Sequence, residues 1–304
     1  MKKSLILGVA LVGTLLASCD KDQSDSKMSF KIPTANLITS LDSGETYMNT
    51  STYAFDLNLT KGLAVIGCDN LVVNNNSLSF TTDEKTFLTN GYWIVVDNPT
   101  GTVTGNSTLQ LKNSYFSANP YYNFNFTYVP GYVTQPTFER LVVSQYNLGD
   151  EYRVVTFNTD AFYMGETKTV YPSMDGSGTV NNYTSTEMTY RVVMNIQKQT
   201  ADLIIYNAKF SASEREPVKV AIIAKDLTVK LNNGAYTIEG SNIIPEVVEG
   251  GASTPYPNFI FNSINFTTTN STLTECSISY EVAGMYKGSF TGSYLAVDPQ
   301  KSQQ

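Results

Sequence analysis

The chain has 304 residues, of which 41% are hydrophobic, enough to build a folded core. It contains no histidine, which excludes Ser-His-Asp and Cys-His nucleophilic catalysis and every zinc site with a histidine ligand. The formal net charge of −7 argues against nucleic acid as a partner, because an acidic surface repels phosphate backbones.

The first residues predict a secretory signal. Met1-Lys2-Lys3 precedes an apolar run from Leu5 to Leu16 that is too short to remain in a membrane as a span. The run ends in Leu16-Ala17-Ser18-Cys19, which resembles the lipobox of bacterial lipoproteins. That resemblance implies cleavage after residue 18 and lipidation of Cys19, with a diacylglycerol thioether and palmitate as the membrane anchor. An ordinary signal peptide followed by a chance cysteine is the alternative.

Residues 19–29 are predicted to form a disordered tether, because the segment after Cys19 is polar, charged and aperiodic. Its aspartates resemble the export signal of Bacteroidota surface lipoproteins. This implies a surface-exposed protein of the outer membrane; an anchor facing the periplasm is the alternative. Removing residues 1–18 leaves 286 residues with 18 basic and 27 acidic side chains, a net charge of −9. Such a surface is not attracted to anionic lipid, so the lipid on Cys19 is the expected membrane contact.

After the signal, short runs rich in Val, Ile, Thr, Tyr and Phe alternate between apolar and polar residues. This period of two predicts antiparallel strands with one face in a core. The clearest runs are Tyr53–Leu59, Tyr190–Ile196, Leu227–Leu231, Phe259–Phe266 and Ser277–Val282. Trp93–Val96 is apolar on both faces and predicts a central strand, and Asn232-Asn233-Gly234 predicts a hairpin.

The two halves of the chain show a weak internal repeat. Ser40–Gly44 and a strand ending Leu57-Asn58-Leu59 correspond to Ser173–Gly178 and a strand ending Met194-Asn195-Ile196. Asn106–Leu109 also matches Asn270–Leu273 at a larger offset, so an insertion is expected in the second half. We therefore predict two antiparallel β-barrel or barrel-like sandwich domains that arose by duplication. Chance matching of Asn, Ser and Thr is the alternative.

The predicted boundary between the two domains lies near Val129-Pro130-Gly131-Tyr132, because Pro and Gly interrupt strands. Domain one would cover residues 30–133 and domain two residues 134–298, followed by a polar tail at 299–304. The remaining cysteines, Cys68 and Cys276, would then lie in different domains. Two independent buried thiols are expected, and a disulfide is the alternative.

Two segments of the second half, Ala201–Phe210 and Ala283–Tyr294, are similar to parts of the calycin-like (lipocalin-like) lipoproteins of gut Bacteroidota. The resemblance implies a β-barrel or barrel-like sandwich in the cell envelope. Its motifs are Gly, Ser and Thr around an aromatic closing strand, so it implies no activity and no functional residue.

Carboxylate pairs are the remaining route to catalysis, as in glycoside hydrolysis. The candidate acids stand in charged, turn-like segments, and solvated surface is the preferred interpretation of each: Glu139, Glu151, Glu187, Glu214 and Glu216. Asp175-Gly176-Ser177-Gly178 predicts a turn, since it lacks the acids of a calcium loop. No catalytic residue, metal ligand or cofactor is predicted.

Aromatic residues are abundant, with 20 Tyr and 15 Phe, and they are densest between Tyr115 and Phe124. Tyr115, Tyr121 and Tyr122 are therefore a candidate ligand surface, although packing within strands is the alternative. The sequence favours a lipid-anchored, non-enzymatic envelope protein that binds a glycan, a small apolar ligand or a partner protein. A structural or accessory component of a surface assembly is the alternative, and a carboxylate-based hydrolase is the third hypothesis.

Overall fold

The computed structural model describes residues 27–90, 93–105, 110–118, 142–173, 175–218, 220–232, 234–249, 252–268 and 275–295. In these ranges the regular structure is β-strand, apart from one 3₁₀ turn at Pro257–Phe259, so the predicted all-β class is confirmed. The signal segment 1–18, Cys19 and the predicted tail 299–304 lie outside the described residues. In the part of the chain that is described, no helix has the length and apolar character needed to cross a bilayer.

The first sheet contains eleven strands in the order β6-β7-β9-β10-β11-β1-β2-β3-β4-β8, with β5 added beside β3. The strands are β1 (Lys27–Ser40), β2 (Thr46–Asn58), β3 (Leu63–Val73), β4 (Asn76–Thr82), β5 (Lys85–Thr86), β6 (Leu88–Asn90), β7 (Trp93–Asp97), β8 (Gly101–Thr104), β9 (Leu111–Ala118), β10 (Val142–Leu148) and β11 (Tyr152–Phe157). Every pairing is antiparallel.

The second sheet also has eleven strands, and eight of them close into a barrel in the order β15-β14-β12-β22-β21-β20-β17-β16, with β16 pairing back to β15. The strands are β12 (Asp160–Pro172), β13 (Val180–Ser185), β14 (Thr189–Asn195), β15 (Thr200–Tyr206), β16 (Ala221–Asn232), β17 (Ala235–Ile243), β18 (Glu246–Glu249), β19 (Ala252–Pro255), β20 (Phe261–Thr268), β21 (Glu275–Val282) and β22 (Tyr286–Leu295). Closure leaves no free edge along these eight strands.

Alternation in the sequence matches alternation in burial. In β2, Tyr53, Phe55 and Leu57 are buried while Asp56 between them is exposed. The predicted hairpin is present, because Asn232 pairs with Ala235 across a two-residue turn. Gly234 in that turn has φ +80°, a conformation that favours glycine. β7 pairs on both sides, with β6 and β9, as expected of an interior strand.

The two predicted boundaries around the first domain need correction. β1 begins at Lys27, inside the predicted tether 19–29, because residues 27–34 pair with β2, and Met28 and Phe30 pack on the core. The Pro130 region lies outside the described residues, but β9 and β10 on either side of it pair with each other. The chain leaves the first sheet only after Phe157, so residues 142–157 belong to that sheet and not to the second.

Both sheets repeat one plan, and the repeat extends to the register of the strands. The pairs Phe30–Phe55, Tyr53–Cys68, Tyr146–Val154 and Ala35–Phe157 in the first sheet correspond to Ala161–Val192, Tyr190–Ile205, Tyr280–Gly288 and Glu166–Thr291 in the second. The turns after Asn58 and Asn195 also agree. In each, the asparagine side-chain oxygen accepts the backbone N–H of a lysine three residues later at 3.0 Å. Two sheets with the same order, register and turn fit the predicted duplication.

The two copies differ in how the sheet closes. In the barrel, β17 pairs with β16 on one side and with β20 on the other. In the first sheet its place is taken by two strands, since β7 pairs with β9 and β8 pairs with β4. Asn98, Pro99 and Thr100 separate them. Gly101 allows β8 to approach β4, because a Cβ there would lie 2.5 Å from Thr81 O. The first sheet is therefore an opened barrel.

One face of the first sheet packs against the barrel. Ala35, Leu37, Val155 and Phe157 belong to the barrel's core cluster, while the alternate residues of β1 and β11 face the first core. Phe157 stacks on Tyr236 with ring centroids 5.2 Å apart. The hairpin at Gly234 also touches the first sheet, because its N–H donates to Thr46 Oγ1 at 3.3 Å. This contact identifies the end of the barrel that the first sheet covers.

Candidate functional site

The predicted aromatic ligand surface is described only in part. Tyr121 and Tyr122 lie outside the described residues, as does Cys19. Tyr115 lies on β9 opposite Asp97 and Gln145, and 40% of it is exposed. The next residue, Phe116, is fully buried. The described part of this segment therefore offers a single exposed ring.

The interior of the barrel is occupied by large side chains. Eight aromatic rings in it are almost fully buried: Tyr163, Tyr190, Tyr236, Tyr280, Phe210, Phe261, Phe266 and Phe290. The packing is close enough that a Cβ at Gly288 would lie 2.2 Å from the Tyr280 ring. A small apolar ligand needs an open cavity, and this dense interior argues against one.

The buried hydroxyls of Thr167, Tyr190 and Tyr280 in the barrel interior are hydrogen-bonded to one another. Tyr190 Oη lies 3.1 Å from Thr167 Oγ1 and 3.2 Å from Tyr280 Oη. Burial raises the pKa of Tyr190 to about 12, and it raises the pKa of Tyr280 well above the ordinary value of 10.0. These groups stay protonated at neutral pH, so they hold the core together and do not supply a base.

Both remaining cysteines are free, buried thiols, as predicted. Cys68 lies in β3 and Cys276 in β21, so they belong to different sheets. Burial raises the pKa of the Cys68 thiol to about 11 and also raises that of Cys276. A thiol that remains protonated is a poor nucleophile, which fits a packing role.

The most prominent surface feature is a group of rings at the other end of the barrel, which we name the aromatic end: Tyr171, Phe210, Tyr256, Phe259 and Tyr286. The strand directions place them together. β12 ends at Pro172, β22 starts at Tyr286, and Val170 of β12 pairs with Lys287 of β22. The hairpin at Gly234, which touches the first sheet, lies at the opposite ends of β16 and β17.

The rings of the aromatic end form a continuous row. The centroids of Tyr256 and Phe259 are 5.7 Å apart with their planes at 35°, and those of Phe259 and Tyr286 are 6.3 Å apart at 23°. Phe210 lies beneath Phe259 and Tyr286, at 5.5 and 5.8 Å, and is fully buried. Tyr256 is 43% exposed, while Phe259 and Tyr286 are half-buried. Three rings, the outer two inclined at 35° and 23° to the central Phe259, therefore reach the surface over a buried one.

The loop at residues 207–220 holds Phe210 in place. Glu214 accepts the Phe210 N–H at 3.0 Å and the Ser211 hydroxyl at 3.3 Å. The Ala212 N–H donates to Tyr171 Oη, and the Val218 N–H donates to Ala208 O. Burial raises the pKa of Tyr286, with a smaller contribution from the nearby negative charge of Glu214. The loop is therefore a fixed part of the surface.

The second half of the row is held by hydrogen bonds between two segments. The Ala283 N–H donates to Ile260 O at 2.8 Å, and the Gly284 N–H donates to Asn262 Oδ1 at 2.9 Å. These bonds fix the turn before Tyr286 against the segment that carries Phe259. The Tyr256 N–H donates to Pro245 O, which holds the backbone at Tyr256 against the segment that carries the exposed Ile244.

The predicted acids do not form a recognised centre in the described ranges. Glu151, Glu187 and Glu216 are exposed, Glu214 caps its own loop, and Glu139 lies outside the described residues. No group of three or more Cys, Asp or Glu suited to a metal occurs among the residues that the structure describes. The Asp175 segment is a turn in which Asp175 Oδ1 accepts the Ser177 N–H. Hydrogen bonding from Ser177 lowers the pKa of Asp175 to about 2.

Sequence reasoning did not identify the aromatic end. Its rings come from four segments: the end of β12, the 207–220 loop, residues 256–259 and the start of β22. One signal was available, namely the expected insertion in the second half. The first sheet joins β3 to β4 through Asn74 and Asn75, whereas the barrel joins β15 to β16 through residues 207–220. Residues 244–260 are a second addition, and both additions carry rings of the aromatic end.

Neither protein-family models nor curated protein sequences match the chain. Among solved structures, a similar chain is a double mutant of the vaccine antigen transferrin-binding protein B from Haemophilus parasuis. The two chains share 7% sequence identity with a TM-score of 0.25, over 90% of this chain and 77% of that one.

Proposed function

We propose that this chain is a lipid-anchored, non-enzymatic binding protein of the bacterial outer membrane, exposed at the cell surface, whose aromatic end binds a neutral glycan. One observation supports the proposal above the others. The segments that the second copy has and the first lacks both bring aromatic rings to one end of the barrel, where Tyr256, Phe259 and Tyr286 form a partly exposed row.

The chemistry of such a row suits sugars. The apolar face of a pyranose ring packs on an aromatic face, and a tyrosine hydroxyl beside it can donate or accept a hydrogen bond. Two neighbouring rings at 23° and 35° to a shared central ring offer room for consecutive sugar units. The net charge of −9 after residue 18 disfavours anionic glycans, so we expect neutral ones.

The proposed cellular location of the protein rests on the sequence. The lipobox-like segment before Cys19 supports lipidation there, and the aspartates after it support export to the surface. We further propose kinship of the second sheet with the calycin-like lipoproteins of gut Bacteroidota, on the strength of the two similar segments and an eight-stranded barrel. A cofactor plays no part in the proposal.

The test is a glycan array probed with the soluble chain that starts at Asp20, since all described strands lie after that residue. We expect binding to neutral polysaccharides, weakened about tenfold by Tyr256→Ala, which corresponds to about 1.4 kcal/mol. Tyr286→Ala should weaken binding similarly. Leu41→Ala is the matched control, because Leu41 is as exposed as Tyr256 (42% against 43%) but lies in the turn between β1 and β2.

Tyr115→Ala separates the two aromatic surfaces. Full binding in this variant, with loss in Tyr256→Ala, would assign the glycan to the aromatic end. The reverse result would assign it to the segment around Tyr115. Binding to no glycan on the array, or equal binding by wild type and Tyr256→Ala, would contradict the proposal.

A protein partner is the second candidate, as a ligand or within a surface assembly. Ile244 is 51% exposed and precedes Pro245, whose carbonyl accepts the Tyr256 N–H, so an exposed aliphatic side chain is carried by the segment next to the ring row. Sugars gain little from an aliphatic side chain, whereas protein interfaces gain from it. Ile244→Ser should leave glycan affinity within about twofold, a change of roughly 0.4 kcal/mol. Absence of glycan binding by the wild type, together with loss of a protein ligand in Ile244→Ser, would favour the protein partner.

A further inference from the structure

The end of the first sheet where β1 starts has a surface unlike the rest of the chain; we name it the β1-start end: Lys27, residues 59–62 and residues 85–88. Register places these segments side by side. Lys27 pairs with Asn58, Asn58 with Leu63, and Leu63 with Thr86. The Phe87 N–H then donates to Gly62 O at 3.0 Å. The start of β1, the end of β2, the start of β3 and the short strand β5 therefore lie side by side.

This end exposes apolar side chains between charged ones. Leu88 is 64% exposed and Leu59 is 36% exposed, and Leu88 is the most exposed large hydrophobic side chain in the described ranges. Lys27, Lys61 and Lys85 are exposed beside them. The exposed acids of this end, Asp56, Asp83 and Glu84, equal the lysines in number. By contrast, the chain after residue 18 as a whole carries a net charge of −9. The described charged side chains of this end therefore balance one another, which limits their repulsion from anionic lipid.

The length of the chain between Cys19 and Lys27 brings this end to the membrane. Eight residue steps separate the two, so the tether spans at most about 28 Å when fully extended. As a random coil it would span roughly 16 Å. A lipid on Cys19 therefore keeps Leu59 and Leu88 within reach of the bilayer surface at high effective concentration.

We infer that the β1-start end rests on the bilayer surface, with Leu59 and Leu88 in the headgroup region and the three lysines against phosphates. This inference depends on the proposed lipid anchor. Apolar side chains flanked by lysines are suited to such an interface, because the apolar groups leave water while the amines meet lipid phosphates. The opposite end of the β1–β2 pair meets the barrel, where Gly234 bonds to Thr46, and the aromatic end lies at the other end of the barrel from that contact.

The test attaches the chain that starts at Cys19 to vesicles of phosphatidylethanolamine and phosphatidylglycerol, through a maleimide lipid on the Cys19 thiol. Cys68 and Cys276 are buried and should not react. Lysine acylation is then followed by mass spectrometry, on vesicles and in free solution. Lys27, Lys61 and Lys85 should react several-fold more slowly on vesicles, while Lys225 and Lys287 of the barrel should react at unchanged rates.

Equal rates for Lys27, Lys61 and Lys85 in both states would overturn the inference, as would protection of Lys225 and Lys287 instead. The double variant Leu59→Ser, Leu88→Ser should restore fast acylation, and Ile244→Ser is its matched control because Ile244 is exposed in the barrel. Chemical coupling makes the result independent of lipidation in the cell. Lipidation itself is tested by the mass of the N-terminal peptide from the full chain, and glycan binding by the array.

Discussion

The hydroxyl oxygens of Tyr53 and Tyr146 lie 2.7 Å apart inside the first sheet, on strands that are not neighbours. Tyr53 donates its proton to Asn36 Oδ1 at 3.0 Å, so Tyr146 is the donor between the two hydroxyls. Tyr190 and Tyr280 hold the equivalent positions in the barrel, at 3.2 Å. In both copies the hydroxyl of one buried tyrosine is therefore hydrogen-bonded to the hydroxyl of another across the core, as buried hydroxyls require.

Removing one hydroxyl of the Tyr53 pair should be costly. Tyr146→Phe leaves Tyr53 without its donor, and we expect a loss of about 1–3 kcal/mol in the free energy of unfolding. Tyr53→Phe removes a hydrogen-bond partner from both Tyr146 and Asn36, so its loss in the free energy of unfolding should be at least as large. The double variant should lose less than the sum of the two, because neither hydroxyl is then left unpaired. Urea denaturation measures all three, with the exposed Tyr115→Phe as control; additive losses would contradict the coupling.

Stability should fall at alkaline pH. Burial raises the pKa of Tyr53, Tyr146 and Tyr280 well above 10.0, and that of Tyr190 to about 12. In the unfolded chain these hydroxyls lose their protons near their ordinary value. The stabilisation is therefore complete below pH 10 and is lost as pH rises toward the folded values. Urea denaturation at a series of pH values should show this decline, and tyrosinate absorbance should appear together with unfolding. Early ionisation of all tyrosines in the folded protein would contradict it.

Local sequence patterns were sufficient to predict strands but insufficient to predict where the chain passes from one sheet to the other. Alternation predicts β2, because a strand with one buried face must place Tyr53, Phe55 and Leu57 on that face. The assignment of β10 and β11 depends instead on pairing with β9 and β1, and β1 lies more than 100 residues earlier in the chain. No local signal encodes such a partner, so Pro130-Gly131 was a reasonable but wrong place to divide the sheets.

The candidate site was hidden from the sequence for a related reason. Tyr115 stood in the densest aromatic segment, yet alternation sends Phe116 into the core and leaves Tyr115 alone at the surface. Phe259 and Tyr286 are separated by two strands in the chain and meet only because the turn before Tyr286 bonds to Ile260 and Asn262. A high density of aromatic residues in the sequence is therefore a weaker guide to the site than the place in the fold where the inserted segments meet.

Gly288 should not tolerate a side chain. It is buried opposite Tyr280, and a Cβ there would lie 2.2 Å from the ring. Because Tyr280 is held by its hydrogen bond to Tyr190, the ring cannot move aside freely. Gly288→Ala should therefore lose about 1–3 kcal/mol or more by overpacking. Ser289→Ala, at the exposed neighbouring position, is the control and should change stability by less than about 0.5 kcal/mol. Equal stability of the two variants would show that the ring can shift.

Phe157 should couple the two sheets. It is 6% exposed and stacks on Tyr236 at 5.2 Å, so Phe157→Ala removes a ring from an apolar contact and should cost about 3–5 kcal/mol. The second copy provides its own control at the equivalent position, Thr291, which is exposed because nothing docks on that face in the described structure. Thr291→Ala should therefore be nearly neutral.

Differential scanning calorimetry distinguishes lost coupling from simple destabilisation. If Phe157 joins the sheets into one cooperative unit, the wild type should unfold in one transition, and Phe157→Ala should divide it into two, with the opened first sheet melting first because it retains free edges. A single transition at lower temperature would mean that Ala35, Leu37 and Val155 are enough to hold the sheets together. An unchanged melting temperature would contradict the contact between Phe157 and Tyr236.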